Sequence, residues 1–93
     1  MIRWAESAAD DLVEAVRFIR LDSPEVASSV AARIVAAVES LAALPARGRP
    51  GRVAGTRELR LADLPYVIVY AAAGTHDIDV IRVLHTRRAW PPA

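Results

Sequence analysis

The side chain in this sequence best suited to proton transfer is His85. It stands in the run Arg82-Val83-Leu84-His85-Thr86-Arg87-Arg88. An imidazole can act as general acid or base near neutral pH, and neighbouring guanidinium groups can hold a phosphate while charge develops on it. That is a sensible arrangement for RNA cleavage. The competing reading is a structural histidine hydrogen-bonded near a strand end. Spacing alone favours the structural role, because a lone histidine is a weak signal. His76 falls in a turn pattern and reads as exposed. Tyr66 and Tyr70 can stack on bases, although such tyrosines more often sit in a core with one polar tip.

A second concentration is the stretch GRPGRVAGTRELR, residues 48–60. Glycine and arginine crowd into it. A phosphate-binding Walker loop needs a lysine, and the chain has none; no G-x-G-x-x-G occurs either. The glycines therefore read as a connector between a helix and a sheet. Arg47, Arg49 and Arg52 stay available to phosphate or to an acidic partner. There is no cysteine, and two histidines at unrelated positions make no ligand set, so neither a metal nor a cofactor is expected.

Charge is unevenly spread. Residues 1–44 hold four arginines and seven acids, a balance of −3; residues 45–93 hold eight arginines and four acids, a balance of +4. The second half can thus present a basic surface even though the net charge is only +1. All basic residues are arginine, which gives planar bidentate contacts to phosphate or carboxylate; a GC-rich coding sequence is the plain alternative. Arginines and acids interrupt every apolar run before a membrane span is reached. The opening MIRWAESAADD lacks the apolar core of a signal peptide, so a cytoplasmic chain is expected.

Elements must hold these groups in place. At 93 residues, 54% of them hydrophobic, the sequence reads as one domain, 1–93, with a single core. Ile2-Arg3-Trp4 alternates like a short first strand. Ser7 and Asp10 form a weak capping box, and Ala8, Leu12, Ala15, Val16 and Ile19 follow helical spacing, which predicts a helix over 7–20. Ser23 can cap a second helix with Pro24 at its first position. Val30, Ile34, Ala37, Leu41 and Leu44 form its core stripe, and Pro45 ends it. The short joint makes the two helices an antiparallel hairpin.

Beyond residue 56 the period changes to two. Residues 57–61, 65–70 and 77–85 read as three antiparallel strands, with a turn at Ala73-Gly74-Thr75-His76. Parity places Arg57, Leu59 and Leu61 opposite Glu58 and Arg60, and Tyr66, Ile68 and Tyr70 opposite Val67 and Val69. It also groups Arg82 with Val80 and Leu84, and His85 with Val83 and Ile81. The expected fold is α+β: an N-terminal strand and an antiparallel helical hairpin packed on a small, mostly antiparallel sheet. The second face of that sheet awaits cover from the Trp90-Pro91-Pro92 tail or from a partner.

The order of these motifs resembles the RelE/ParE toxins of bacterial type II toxin–antitoxin modules. Gly48-Arg49-Pro50, Gly55-Thr56-Arg57-Glu58-Leu59, Tyr66 to Tyr70 and Arg82-Val83-Leu84-His85 carry the likeness, which spans nearly the whole chain. The resemblance implies a small toxin held inactive by a cognate antitoxin. It leaves two targets: DNA gyrase for ParE-like members, or messenger RNA on the ribosome for RelE-like endoribonucleases. If the chain is a ribonuclease, His85 is the acid or base and Arg60 and Arg82 hold the phosphate. Arg49, Arg52, Arg57, Arg87 and Arg88 are the expected contacts to target or antitoxin. Many ribonuclease members place arginine after the first tyrosine of the third strand, where Val67 stands here, and a tyrosine in the tail, where Trp90 stands. Lysines of their second strand meet Arg60 at one position and Glu58 at the other. These departures tilt the expectation toward the gyrase-directed branch.

Overall fold

A hairpin of two helices lies across one face of a five-stranded mixed sheet in the computed structural model, which describes residues 1–74 and 76–92. The elements run β1 (Ile2–Trp4), α1 (Glu6–Arg20), α2 (Pro24–Ser40), β2 (Arg49–Pro50), β3 (Arg57–Arg60), β4 (Tyr66–Ala73) and β5 (Asp77–His85). The strand order is β1-β5-β4-β3-β2; β1 runs parallel to β5 and every other pair is antiparallel. The α+β expectation, the hairpin and the three-strand meander are all present. The two-residue strand β2, inside the glycine–arginine stretch, was read only as connector.

Each helix has a sequence-level cause. Ser23 caps α2 by accepting the Val26 N–H at 3.3 Å, and Pro24 follows at the first position. Ala27, Val30, Ile34 and Val38 point inward from α2. The helix ends at Ser40, short of Pro45, and Leu41 donates to the Val38 carbonyl in a tightened last turn. The helical phase is lost there, so Leu41 is buried while Leu44, expected in the core stripe, is 61% exposed. In α1, Ala8 is buried and Leu12, Ala15 and Ile19 pack against the core. Ser7 does not cap it. The cap position is Ala5, and the Ser7 hydroxyl donates to the Ile81 carbonyl at 3.0 Å. The chain enters directly from β1, where the Ala5 N–H donates to the Val80 carbonyl, and alanine at the cap position has no side-chain acceptor.

The core is the layer between hairpin and sheet. Leu59, Tyr66, Ile68, Tyr70, Ile78, Val80 and Val83 face the helices. Parity fails once. Val69 pairs with Arg82 while Tyr70 pairs with Val80, so Ile81 is an extra residue in β5. Such a bulge flips the phase of all that follows. Val80 therefore lies with the core, not with Arg82 and Leu84 as alternation predicted. Val83 keeps to the helix side, and Arg82 and Leu84 turn to the outer face.

Tyr70 joins the sheet to the connector. Its ring is fully buried, and its hydroxyl accepts the Gly48 N–H at 2.8 Å and donates to the Pro45 carbonyl at 2.7 Å. A Cβ on Gly48 would lie 2.7 Å from that hydroxyl, so the glycine is there for close approach. The Arg57 guanidinium donates to the Gly48 carbonyl at 2.8 Å. Tyr70→Phe strands two backbone groups and is expected to cost about 1–3 kcal/mol. Gly48→Ala should cost at least as much through overlap with the ring. Urea unfolding of both variants checks this; wild-type stability in Tyr70→Phe would show that the hydroxyl is not what anchors the connector.

Candidate functional site

The outer face of the sheet, away from the helices, carries the charged groups. Glu58 and Arg60 project there from β3 over a floor of Val67, Val69 and Leu84. The floor is apolar because these are the outward positions of strands buried on both sides. Trp90 returns as a roof. Its carbonyl accepts the Arg52 guanidinium at 2.9 Å, and its ring lies 5.6 Å from the Arg82 guanidinium carbon, within cation–π range. The expected return of the tail onto the sheet is thus observed. The cleft beneath it has a volume of about 30 Å³, and Arg52, Arg60, His85, Arg88 and Trp90 are among its walls. That is room for one or two waters.

Two buried polar groups stand out in this cleft. The Glu58 carboxylate is 8% exposed and accepts the Arg52 backbone N–H at 2.9 Å. Among the described residues, the Trp90 indole N–H is buried with no acceptor. Glu58 first read as a departure from a family lysine; the fold uses it to tie the connector to β3.

Arg82 is held from the other direction. Asp11 of α1 takes its guanidinium in a bidentate pair, at 2.7 and 2.9 Å, and the same carboxylate accepts the Val83 N–H at 3.0 Å. The two side chains are only 17% and 11% exposed. The Arg82 pKa is raised, first by the hydrogen bond to Asp11 and then by its charge, which outweigh burial. Nothing in the sequence around Asp11 marks it as a partner for Arg82. A partner 71 residues away leaves no local pattern by which sequence could find it.

His85 ends β5 at the rim. Its Nδ1 accepts the Arg87 N–H at 3.1 Å, and its ring meets that of Tyr66 edge-on at 5.5 Å and 78°. Burial raises the Tyr66 phenol above its ordinary value. Arg60, His85, Arg52 and Arg88 come together around the cleft. Arg82 lies next to them, committed to Asp11 and Trp90. Arg49 shares the outer face with Glu58 by register. Arg57 turns toward the connector, and Arg87 is exposed in the turn after β5.

The fold agrees with the resemblance to the RelE/ParE toxins. Residues 2–90 match the model of the ParE toxin of the type II toxin–antitoxin system parDE, and the chain belongs to that family. It is 46% identical over 90 residues to a Sinorhizobium fredii protein whose name, Y4kP, marks it as a candidate toxin; the match covers 97% of this chain and 92% of that one. A solved structure titled as a chromosomal ParDE system from P. aeruginosa superposes with a TM-score of 0.78 at 30% identity, covering 90% of this chain and 92% of that chain. The RelBE2 toxin–antitoxin complex of Mycobacterium tuberculosis shares the fold, with a TM-score of 0.62 at 24% identity, over 91% of this chain and 95% of that one. The chain is accordingly a toxin of a type II toxin–antitoxin system.

Two outcomes follow from the geometry. Asp11→Ala leaves a largely buried arginine without its carboxylate and an edge N–H without an acceptor, and should cost about 3 kcal/mol in urea unfolding, the lower end for buried pairs because the pair borders solvent. Asp11→Asn keeps an oxygen for Val83 and should cost about 1 kcal/mol less; equal losses would mean the Val83 bond contributes nothing. The raised Tyr66 phenol has a signed consequence. The stability tied to it is fully present below the ordinary tyrosine value of about 10 and is lost as pH rises through the folded value. Tyr66→Phe should therefore flatten the alkaline fall of the melting temperature, and an unchanged fall would sink the assignment.

Proposed function

We propose that this toxin acts by binding DNA gyrase, is neutralised by a cognate antitoxin, and works in the cytoplasm. The observation that carries the gyrase reading is that the expected acid/base set is incomplete and has little room for a substrate. Arg82 is paired with Asp11, and the cleft that Arg60, His85 and Trp90 line has a volume of only about 30 Å³. General acid–base chemistry needs its groups within hydrogen-bond reach of one substrate atom, and ligand sites are usually roomier than this. A binding toxin needs no such void. It needs a firm, charged surface, and Arg49, Arg52, Arg60 and Arg88 offer one over a rigid sheet. The ParE family match and the likeness to the ParDE structure support the same reading. The antitoxin partner is supported by the two solved toxin–antitoxin systems that share this fold.

One observation favours a second reading, a RelE-like endoribonuclease. Arg60, His85 and Arg88 do line one cleft, and a swing of Trp90 would open it. The two separate cleanly. Induction of the toxin should arrest growth, and purified toxin should lower gyrase supercoiling in vitro while primer extension on messenger RNA shows no new ends. His85→Ala should leave growth arrest within about twofold. New transcript ends that vanish in His85→Ala would establish the ribonuclease instead.

A further inference from the structure

The outer face of the sheet is far more basic than the chain as a whole. Arg52, Arg60 and Arg88 stand around the cleft, and Arg49 joins them from β2, opposite Glu58 in register. All four are exposed. Among the described residues none of the four guanidinium groups has a carboxylate partner, and Arg52 meets only the Trp90 carbonyl. Glu58, the one acid lining the cleft, is buried and turned onto the Arg52 backbone. Asp77 and Asp79, further along β5, are already paired, with the Met1 ammonium at 2.8 Å and with Arg3 at 2.7 Å. Four cations therefore face solvent with little to offset them, on a chain whose net charge is only +1.

What this face lacks selects its ligand. A protein partner needs apolar anchors to bury, and here Val67, Val69 and Leu84 lie beneath Trp90. Single-stranded nucleic acid stacks its bases on a run of aromatic rings. Tyr66 and Tyr70, the rings that sequence offered for stacking, are 7% and 0% exposed and belong to the core on the helix side. Trp90 is a single ring with Arg82 against it. The phosphates of a duplex ask only for cations, and arginine meets them with a planar pair of donors. The row crosses from β2 to the end of β5, three strand spacings or roughly 14 Å. Over that length B-DNA presents about eight phosphates, enough for each arginine to find one. We infer that the outer face binds the phosphate backbone of double-stranded DNA, without reading its sequence, through Arg49, Arg52, Arg60 and Arg88. Its use rests on the gyrase reading above: the toxin lies against DNA that the enzyme holds, and not on the enzyme alone.

The test is fluorescence anisotropy of a labelled, mixed-sequence duplex of about 20 base pairs, titrated with the chain between about 50 and 200 mM salt. Four phosphate contacts set the slope of log K against log salt at about −3.6. Arg49→Ala should flatten that slope by about one and Arg49→Ala/Arg88→Ala by about two. Arg49→Lys keeps the charge and should keep the slope, which a misfolded variant cannot imitate. Arg17→Ala, on α1, should leave it unchanged. Single-stranded RNA of the same length should bind several-fold more weakly. No duplex binding at low salt, a slope that the double variant leaves untouched, or equal affinity for the single strand overturns the inference. Gyrase supercoiling then tests the use of the contact. Inhibition that weakens in the double variant along with its DNA affinity supports it. Full inhibition by a double variant that has lost DNA binding overturns it. If the wild-type chain leaves gyrase untouched, the gyrase reading falls, and the DNA contact is decided by the titration alone.

Discussion

An open sheet has edges, and an edge leaves backbone donors and acceptors facing outward. Here β1 covers only part of β5: its three residues pair with Ile78, Asp79 and Val80, and β5 runs on to His85. The first helix finishes that edge with side chains. Ser7 takes the Ile81 carbonyl, and Asp11 takes the Val83 N–H. The carboxylate that completes the edge is also the one that holds Arg82, and Arg82 in turn lies under the ring of Trp90. One ionised group on α1 thus secures the helix to the sheet and orients an arginine whose other contact is the tail. The bulge at Ile81 makes this possible, since it turns Arg82 outward where plain alternation would have changed its neighbours.

A parallel arrangement secures the opposite side of the sheet. There the polar tip of a buried tyrosine ties β4 to the connector, and the buried carboxylate of Glu58 ties the connector to β3. Both are polar groups placed where their loss would strand backbone partners, so the connector is ordered although it has only two residues of strand. The glycine–arginine stretch is therefore split in use. Gly48 permits the approach of Tyr70, Arg57 braces the turn, and Arg49, Arg52 and Arg60 are presented outward. The apolar floor beneath them is covered by Trp90, so the outer face is a roofed, charged surface and not an open hydrophobic sheet.

Local physical rules carried much of this into the sequence. Ser23 and Pro24 announce the start of α2, helical spacing marks Val30 and Ile34 as core, and the β-branched run at Tyr66–Tyr70 marks a central strand. The resemblance to RelE/ParE toxins was legible in the order of these same elements. Leu44 shows where such rules stop: its spacing fits the stripe, but the helix has already tightened and ended. Ser7 shows another limit, because a hydroxyl with a cap-like position found a carbonyl on a distant strand.

What the sequence by itself determined is the set of elements and the side chains they carry, because caps, periodicity and glycine or proline punctuation act over a few residues. It also determined the basic character of the second half. Which arginines work together was decided only in three dimensions. Asp11 and Arg82 are 71 residues apart, Arg52 and Trp90 are 38, and a one-residue bulge sets which face each group on the end of β5 occupies. Pairings across such distances depend on register and on the packing of one layer against another, and neither leaves a mark in local spacing.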